Sequence, residues 1–245
     1  MSSAGHHSMM QKAAGGGLPS SYTEVEYIYP SAAGAYIDLG WYPTTWTAFD
    51  AWLSIAPLRK ANFGVSDIVP TSTNSQQNLN LGFSLAGNWS QDRWLGFSQN
   101  GTYEWNGEYY SYAQYTSARN NVHHHYVDLD NYVQHGAGSS EAYRKEYYID
   151  DSLIATGYWD NIFPVSKQTY SYINRDVFLF ALNVNGSAAA AAVTKCGRLR
   201  FYNAQGDAAN FIPCINENLN AGMFNLVSQT FHGAATGTIL YQALS

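Results

Sequence analysis

Leu79, Leu81, Phe83 and Leu85 are each separated by a single residue. A two-residue period of this kind places one face of a strand in a core and the other outside it. The same local rule governs much of the chain. Short alternating or aromatic-rich stretches follow one another with Gly, Asn, Asp and Ser between them, and no long stretch repeats apolar residues at helical spacing. No internal repeat is visible. A chain punctuated in this way folds as an antiparallel sandwich. Composition agrees. Charged residues are 12% of the chain, too few for long solvent-facing helices, whereas 20 Tyr, 11 Phe and 7 Trp favour strands. The expected class is all-β, and 245 residues suit one large domain with its own core.

The pattern predicts particular strands. Tyr22 to Tyr29 alternates, with Val25, Tyr27 and Tyr29 on one face and Glu24, Glu26 and Ile28 on the other. Ala35 to Leu39, Trp46 to Ile55 and Asn62 to Val65 follow, then Leu79 to Leu85 and Arg93 to Ser98, with Asn100-Gly101 as a hairpin turn. His123 to Val133, Arg144 to Ile149 and Leu153 to Thr156 form the next group, the last two joined at Asp150-Asp151. Val177 to Val184 is strongly apolar and reads as a central strand, while Ala188 to Val193 suits a loop. Gly197 to Asn203 and Ala208 to Ile215 flank a hairpin loop over Ala204 to Asp207. If its turn centres near Gln205, Cys196 and Cys214 face each other and a cross-strand disulfide is open to them. A one-residue slip separates them, and the alternative is two buried free thiols. Two cysteines make neither a disulfide framework nor a zinc pattern.

The formal net charge is -6, and 12 Lys and Arg form no basic run. Nucleic acid is excluded as a partner on that ground, because phosphate binding needs clustered cations. No apolar stretch is long enough to cross a bilayer as a helix. Residues 1–17 are small, polar and Gly-rich, with no basic head and apolar run of a secretory signal. They read as a flexible leader, an added remnant, or a tether to a larger assembly. The domain proper is expected over residues 18–245.

Several stretches, in this order, resemble a known family. Leu18-Pro19-Ser20-Ser21-Tyr22 with Val25-Glu26-Tyr27-Ile28 is followed by Ala35-Tyr36-Ile37-Asp38-Leu39-Gly40. His124-His125-Tyr126-Val127-Asp128-Leu129 is followed by Tyr147-Tyr148-Ile149-Asp150-Asp151, where Asp151 stands in place of a Gly and leaves the turn type open. Phe178 to Ala181, Arg198 to Tyr202, Asn210 to Cys214, Gly222 to Val227 and Thr230-Phe231 complete the set. Together they span nearly the whole chain after the leader and resemble the concanavalin A-like, laminin-G-like jelly rolls of gut bacteria and their phages. The resemblance implies an antiparallel two-sheet jelly-roll sandwich. It implies binding or adhesion more often than catalysis. Calcium is a cofactor such domains often hold through Asp and carbonyl oxygens, but no ligand set can be assigned here. A fold alone names no ligand.

Catalytic signals are thin. The laminarinase-like branch of this fold carries Glu-x-Asp-x-x-Glu on one strand, and no such run is present. Asp128 and Asp130 supply two carboxylates on one face of a strand, and Glu104 and Glu108 lie four apart across Asn106-Gly107. Both pairs also read as solvated polar residues. No Gly-x-Ser-x-Gly elbow or phosphate loop occurs. His123-His124-His125 is the most conspicuous run. His123 and His125 share a face and could begin a metal site, but no third ligand follows at metal spacing. Val127 and Leu129 share the face of His125, which reads instead as a core histidine with a hydrogen-bond partner.

The strongest functional signal is aromatic. Trp89, Trp94, Tyr103, Trp105, Tyr109, Tyr110, Tyr112 and Tyr115 crowd into one polar, Asn- and Gly-rich region. Trp and Tyr faces stack on the C–H faces of sugars while Asn, Gln and Asp meet the hydroxyls. Trp94, beside Leu95 and Phe97, reads as core; Trp89, Trp105, Tyr109 and Tyr110 are the candidate ligand-binding residues. The expectation is a non-enzymatic recognition module for a glycan or cell-surface polysaccharide, with no metal and no catalytic residue assigned. Its expected setting is a phage virion surface, as a head decoration, fibre or receptor-binding subunit, with an extracellular or cell-surface setting as the alternative. Other virion proteins would contact it through the leader, no membrane is a partner, and a homo-oligomer stays open. A purely structural cementing protein and a glycan-degrading enzyme are the alternatives.

Overall fold

Seventeen strands form among the described residues of this computed structural model, and no helix. The structure describes residues 17–41, 48–54, 60–66, 81–85, 121–133, 142–158, 175–203 and 205–244. Residues 1–16 of the expected leader, the strand predicted at Arg93 to Ser98, the Asn100-Gly101 turn and the whole aromatic region from Trp89 to Tyr115 lie outside them. In chain order the strands are β1 (Tyr22–Glu24), β2 (Tyr27–Pro30), β3 (Tyr36–Asp38), β4 (Ala48–Leu53), β5 (Lys60–Ser66) and β6 (Leu81–Leu85). Next come β7 (His123–Val133), β8 (Ala142–Ile149), β9 (Ser152–Tyr158), β10 (Phe178–Leu179), β11 (Leu182–Val184) and β12 (Ser187–Ala189). The last are β13 (Cys196–Asn203), β14 (Gly206–Asn216), β15 (Ala221–Asn225), β16 (Thr230–Thr236) and β17 (Ile239–Gln242).

Their pairings link all seventeen into one curled, largely antiparallel sheet. One layer runs β9-β8-β7-β4-β13-β14-β15-β16. The other contains β6-β5-β10-β3 with β11 and β12, and β16 joins the layers by pairing with β3 through Ala234 and Thr236. Among the described residues β11 runs parallel beside β5, as does the isolated bridge of Ala191 to Ala61. The core sits between the layers. Phe49 and Phe201 from the first meet Phe63 from the second, with ring centroids 5.5 and 5.6 Å apart in edge-to-face geometry. Trp41 stacks on Phe201 at 4.4 Å. All three phenylalanines are fully buried, and burial of each contributes about 1.5–3 kcal/mol. This sandwich-like packing follows from the alternation: Phe49, Ala51 and Leu53 on β4 point inward and are buried, while Asp50 and Trp52 point outward.

Two predicted strands are divided, and one predicted loop begins as a strand. Tyr22 to Tyr29 is two strands, because β1 pairs with β14 whereas β2 pairs with β13 and β17. Crossing between neighbours changes the phase, so Val25 and Ile28 are both core and Tyr27 and Tyr29 are only partly buried. Val177 to Val184 is broken at Phe180, whose φ is 71°. Its N–H donates to the Asn62 carbonyl at 2.6 Å and its carbonyl accepts from Ala192 N–H at 2.9 Å. Bulky residues avoid this region of φ. Here the turn lets the chain run antiparallel to β5 as β10 and then parallel to it as β11. Ala188 and Ala189 lie in β12 rather than in a loop. Asn185-Gly186, with φ of 54° and 86°, closes the β11–β12 hairpin.

The β13–β14 hairpin has the register that would align the two cysteines, from Leu199 opposite Phe211 to Phe201 opposite Ala209. Before Leu199 the strands part. Cys196 lies opposite Ile28 and Leu53, and Cys214 opposite Glu24 and Gly222. Both are buried free thiols, and burial pushes the Cys214 thiol up to about 12.

Candidate functional site

The outward face of β8, β7, β4, β13 and β14 carries a connected polar and aromatic arrangement. Tyr148, Tyr126, Asp50, Arg200 and Asn210 stand directly opposite one another across these five strands. Trp52 and His124 form the neighbouring pair on the same face. Alternation puts them there, since their sequence neighbours Leu53, Ala51 and His125 are all buried.

Asp50 is the hub. His124 Nε2 lies 2.8 Å from Asp50 Oδ1, and the Tyr202 hydroxyl donates to Oδ2 at 3.2 Å. The bond to Asp50 raises the His124 pKa against the opposing effect of burial, with Asp151 and Asp150 adding to it. The His124 ring stacks on Trp52 at 4.9 Å and 20°. Trp52 stays 40% exposed, so one tryptophan face is held in place and presented. Gly197 lies under its base, where a Cβ would come within 3.0 Å of the Trp52 Cβ. Beside this group, Arg200 Nη2 donates to Asp207 Oδ1 at 2.8 Å and the guanidinium lies over the Tyr202 ring at 4.9 Å. Asn210 is fully buried. It donates to Asp207 Oδ2 at 2.8 Å and accepts from Arg198 Nε at 3.2 Å. Burial and the Asp50 carboxylate push the Tyr202 hydroxyl up, so it is a hydrogen-bond donor at neutral pH.

The histidine run divides by strand alternation. His125 is buried on the inner face, with Nε2 3.0 Å from the Leu53 carbonyl. A carbonyl only accepts, so this nitrogen carries the proton. Burial lowers its pKa to about 3, and the ring is neutral. That is the core histidine expected from Val127 and Leu129. His123 Nδ1 meets Asp150 Oδ2 at 2.5 Å, and Asp150 Oδ1 accepts from the His124 N–H at 2.9 Å. Although burial opposes it, these bonds hold the Asp150 carboxyl below its ordinary value. Asp150 and Asp151 have φ of 45° and 63° between the paired residues Ile149 and Ser152. This is the two-residue turn with both central residues left-handed, so Asp151 takes the conformation usually given to Gly. Among the described residues no three His, Cys, Asp or Glu side chains gather where a metal ion could be held. The β7–β8 register shifts between Asp128 and Asn131, so the strict alternation behind the Asp128 and Asp130 pair is interrupted.

Of the residues predicted to bind ligand, Trp89, Trp105, Tyr109 and Tyr110 lie outside the described residues, as do Glu104 and Glu108. The structure instead brings forward Trp52, Asp50, Arg200 and Tyr202. The signal for Trp52 and Asp50 in the sequence is the alternation of Phe49-Asp50-Ala51-Trp52-Leu53, which marks Trp52 as an outward tryptophan beside an outward carboxylate. Compared with protein-family models, curated proteins and solved structures, the chain matches no family model, no curated protein and no solved structure.

Proposed function

We propose that this chain is a non-enzymatic recognition module of jelly-roll type that binds carbohydrate on the outward face of β4, β7 and β13. The observation that carries this reading is Trp52. It is exposed, fixed by its stack on His124 and bordered by the acceptor Asp50. An apolar ring with polar groups at its edge suits a pyranose, whose C–H face stacks while its hydroxyls bond. Trp89, Trp105, Tyr109 and Tyr110 remain the contacts that the sequence proposes in the aromatic region from Trp89 to Tyr115. The setting that goes with the family resemblance is the surface of a phage particle, where such a module would meet bacterial polysaccharide.

A screen of the purified chain against bacterial surface glycans tests this, with Trp52→Ala and Trp105→Ala alongside. Saturable binding that drops at least tenfold in Trp52→Ala, with the far-UV spectrum unchanged, supports the outward face. Loss only in Trp105→Ala moves the site to the 89–115 region. No binding to any glycan overturns the carbohydrate reading in favour of a structural particle protein.

A further inference from the structure

We infer that the ligand is a neutral, linear polysaccharide lying across the strands and occupying at least three sugar units, not a single terminal sugar. This rests on the carbohydrate reading above. The geometry is the register row. Tyr148, Tyr126, Asp50 and Arg200 stand directly opposite one another on β8, β7, β4 and β13. Adjacent strands lie about 4.8 Å apart, so three steps span about 14 Å. A pyranose in an extended chain advances by nearly one strand spacing, so successive units meet successive strands. All four side chains are partly exposed. The row ends at β14, where Asn210 is fully buried and offers no further contact.

The chemistry changes along the row in a way one sugar cannot use. Tyr126 and Tyr148, with ring centroids 6.0 Å apart, offer aromatic surface at one end. Trp52 borders the middle beside Asp50, and Arg200 with Tyr202 closes the other end. The charged groups of the row already have partners within the protein. Asp50 is met by His124, and Arg200 by Asp207. A polyanionic chain would find no uncompensated cation on this row, and a neutral one leaves both pairs intact. Carboxylate oxygens have further lone-pair sites beyond the bonds already made, and these can accept from sugar hydroxyls.

The test is calorimetric titration of the full chain with neutral oligosaccharides of one to eight units, cut from the polysaccharide that binds best in the screen. Affinity should rise at least tenfold from one unit to three or four and then level off. Tyr148→Ala should weaken a four-unit ligand about tenfold and leave a one-unit ligand unchanged. Affinity independent of length, still abolished by Trp52→Ala, would overturn the linear chain while leaving carbohydrate binding in place. Tighter binding of sulfated or uronic chains of equal length would overturn neutrality. No saturable binding by any of them would overturn both this inference and the reading it rests on.

Discussion

Two rows of the same five strands, one residue apart, have opposite character. Ile149, His125, Ala51, Leu199 and Phe211 stand opposite one another on the inner face, and every one is buried. Tyr148, Tyr126, Asp50, Arg200 and Asn210 form the outer row. The inner row is held by exclusion of water and the outer by specific partners. Adjacent histidines make the difference measurable. His125 is fully buried with its Nε2 on the Leu53 carbonyl, so burial wins and its pKa falls to about 3. His124 has Asp50, and that bond outweighs burial, so its pKa rises. The same side chain is kept neutral on one face and favours the charged form on the other, according to which side of the pleat it occupies.

The largest effect should come from the inner row. Phe211→Ala leaves a cavity in a fully buried position and should cost about 3–5 kcal/mol. Tyr126→Ala, in the outer row and partly exposed, should cost no more than about 1 kcal/mol. Urea midpoints at pH 7 check the pair, and equal losses would erase the distinction between rows. His125 should come next, through pH. Its folded pKa lies below its unfolded value, so the unfolded chain binds the proton first. Its contribution is complete above about pH 6.5 and is lost as pH falls from there toward 3, by up to about 1.4 kcal/mol per pH unit. His125→Gln can keep a donor to the Leu53 carbonyl but does not titrate. It should flatten the fall in urea midpoint between pH 6.5 and 4.5, and an unchanged slope would place the acid sensitivity elsewhere.

The inner row was more legible in the sequence than the outer site. β7 spans His123–Val133 as its alternation predicts, and the β13–β14 register follows from a turn near Gln205. These are local signals. Phe180 was not legible, because its left-handed conformation is set by Asn62 and Ala192, which are distant in sequence or beyond its own strand. Nor was the divergence of Cys196 from Cys214, which depends on β1 and β2 taking different partners. The outward direction of Trp52 could be read from its buried neighbours. The meeting of His124 and Tyr202 at Asp50 could not, since it joins residues 74 and 152 positions apart. Register between distant strands decides it, and a single sequence carries no direct record of that register.

A smaller effect should appear at His124, with the opposite pH sign. Its folded pKa is raised, so its contribution is complete below about pH 6.5 and is lost as pH rises through the folded value. His124→Gln should therefore cost about 0.5–1 kcal/mol at pH 6. The cost should shrink by pH 9, as read from urea midpoints. If the cost instead grew with pH, the Asp50 bond would not be the dominant influence on this ring.

The smallest effects sit at the turn joining the end of β8 to β9, where two aspartates of similar backbone conformation have unequal roles. Asp150 is half-exposed and bonds both His123 and the His124 N–H, whereas Asp151 is more exposed and lies 3.8 Å from His124 Nδ1. Both have positive φ, and glycine takes that conformation without the Cβ penalty. Asp151→Gly should therefore stay within about 0.5 kcal/mol of the parent, because the backbone relief offsets what a largely exposed side chain contributes. Asp150→Gly gains the same backbone relief but loses two bonds of a half-exposed side chain, and should destabilise by about 0.5 kcal/mol. Urea midpoints of the two single variants, compared with each other, cancel much of the shared glycine effect. A difference in the predicted direction would show the Asp150 side-chain bonds acting at the end of the strand. Equal values would mean that the turn is governed by backbone conformation alone.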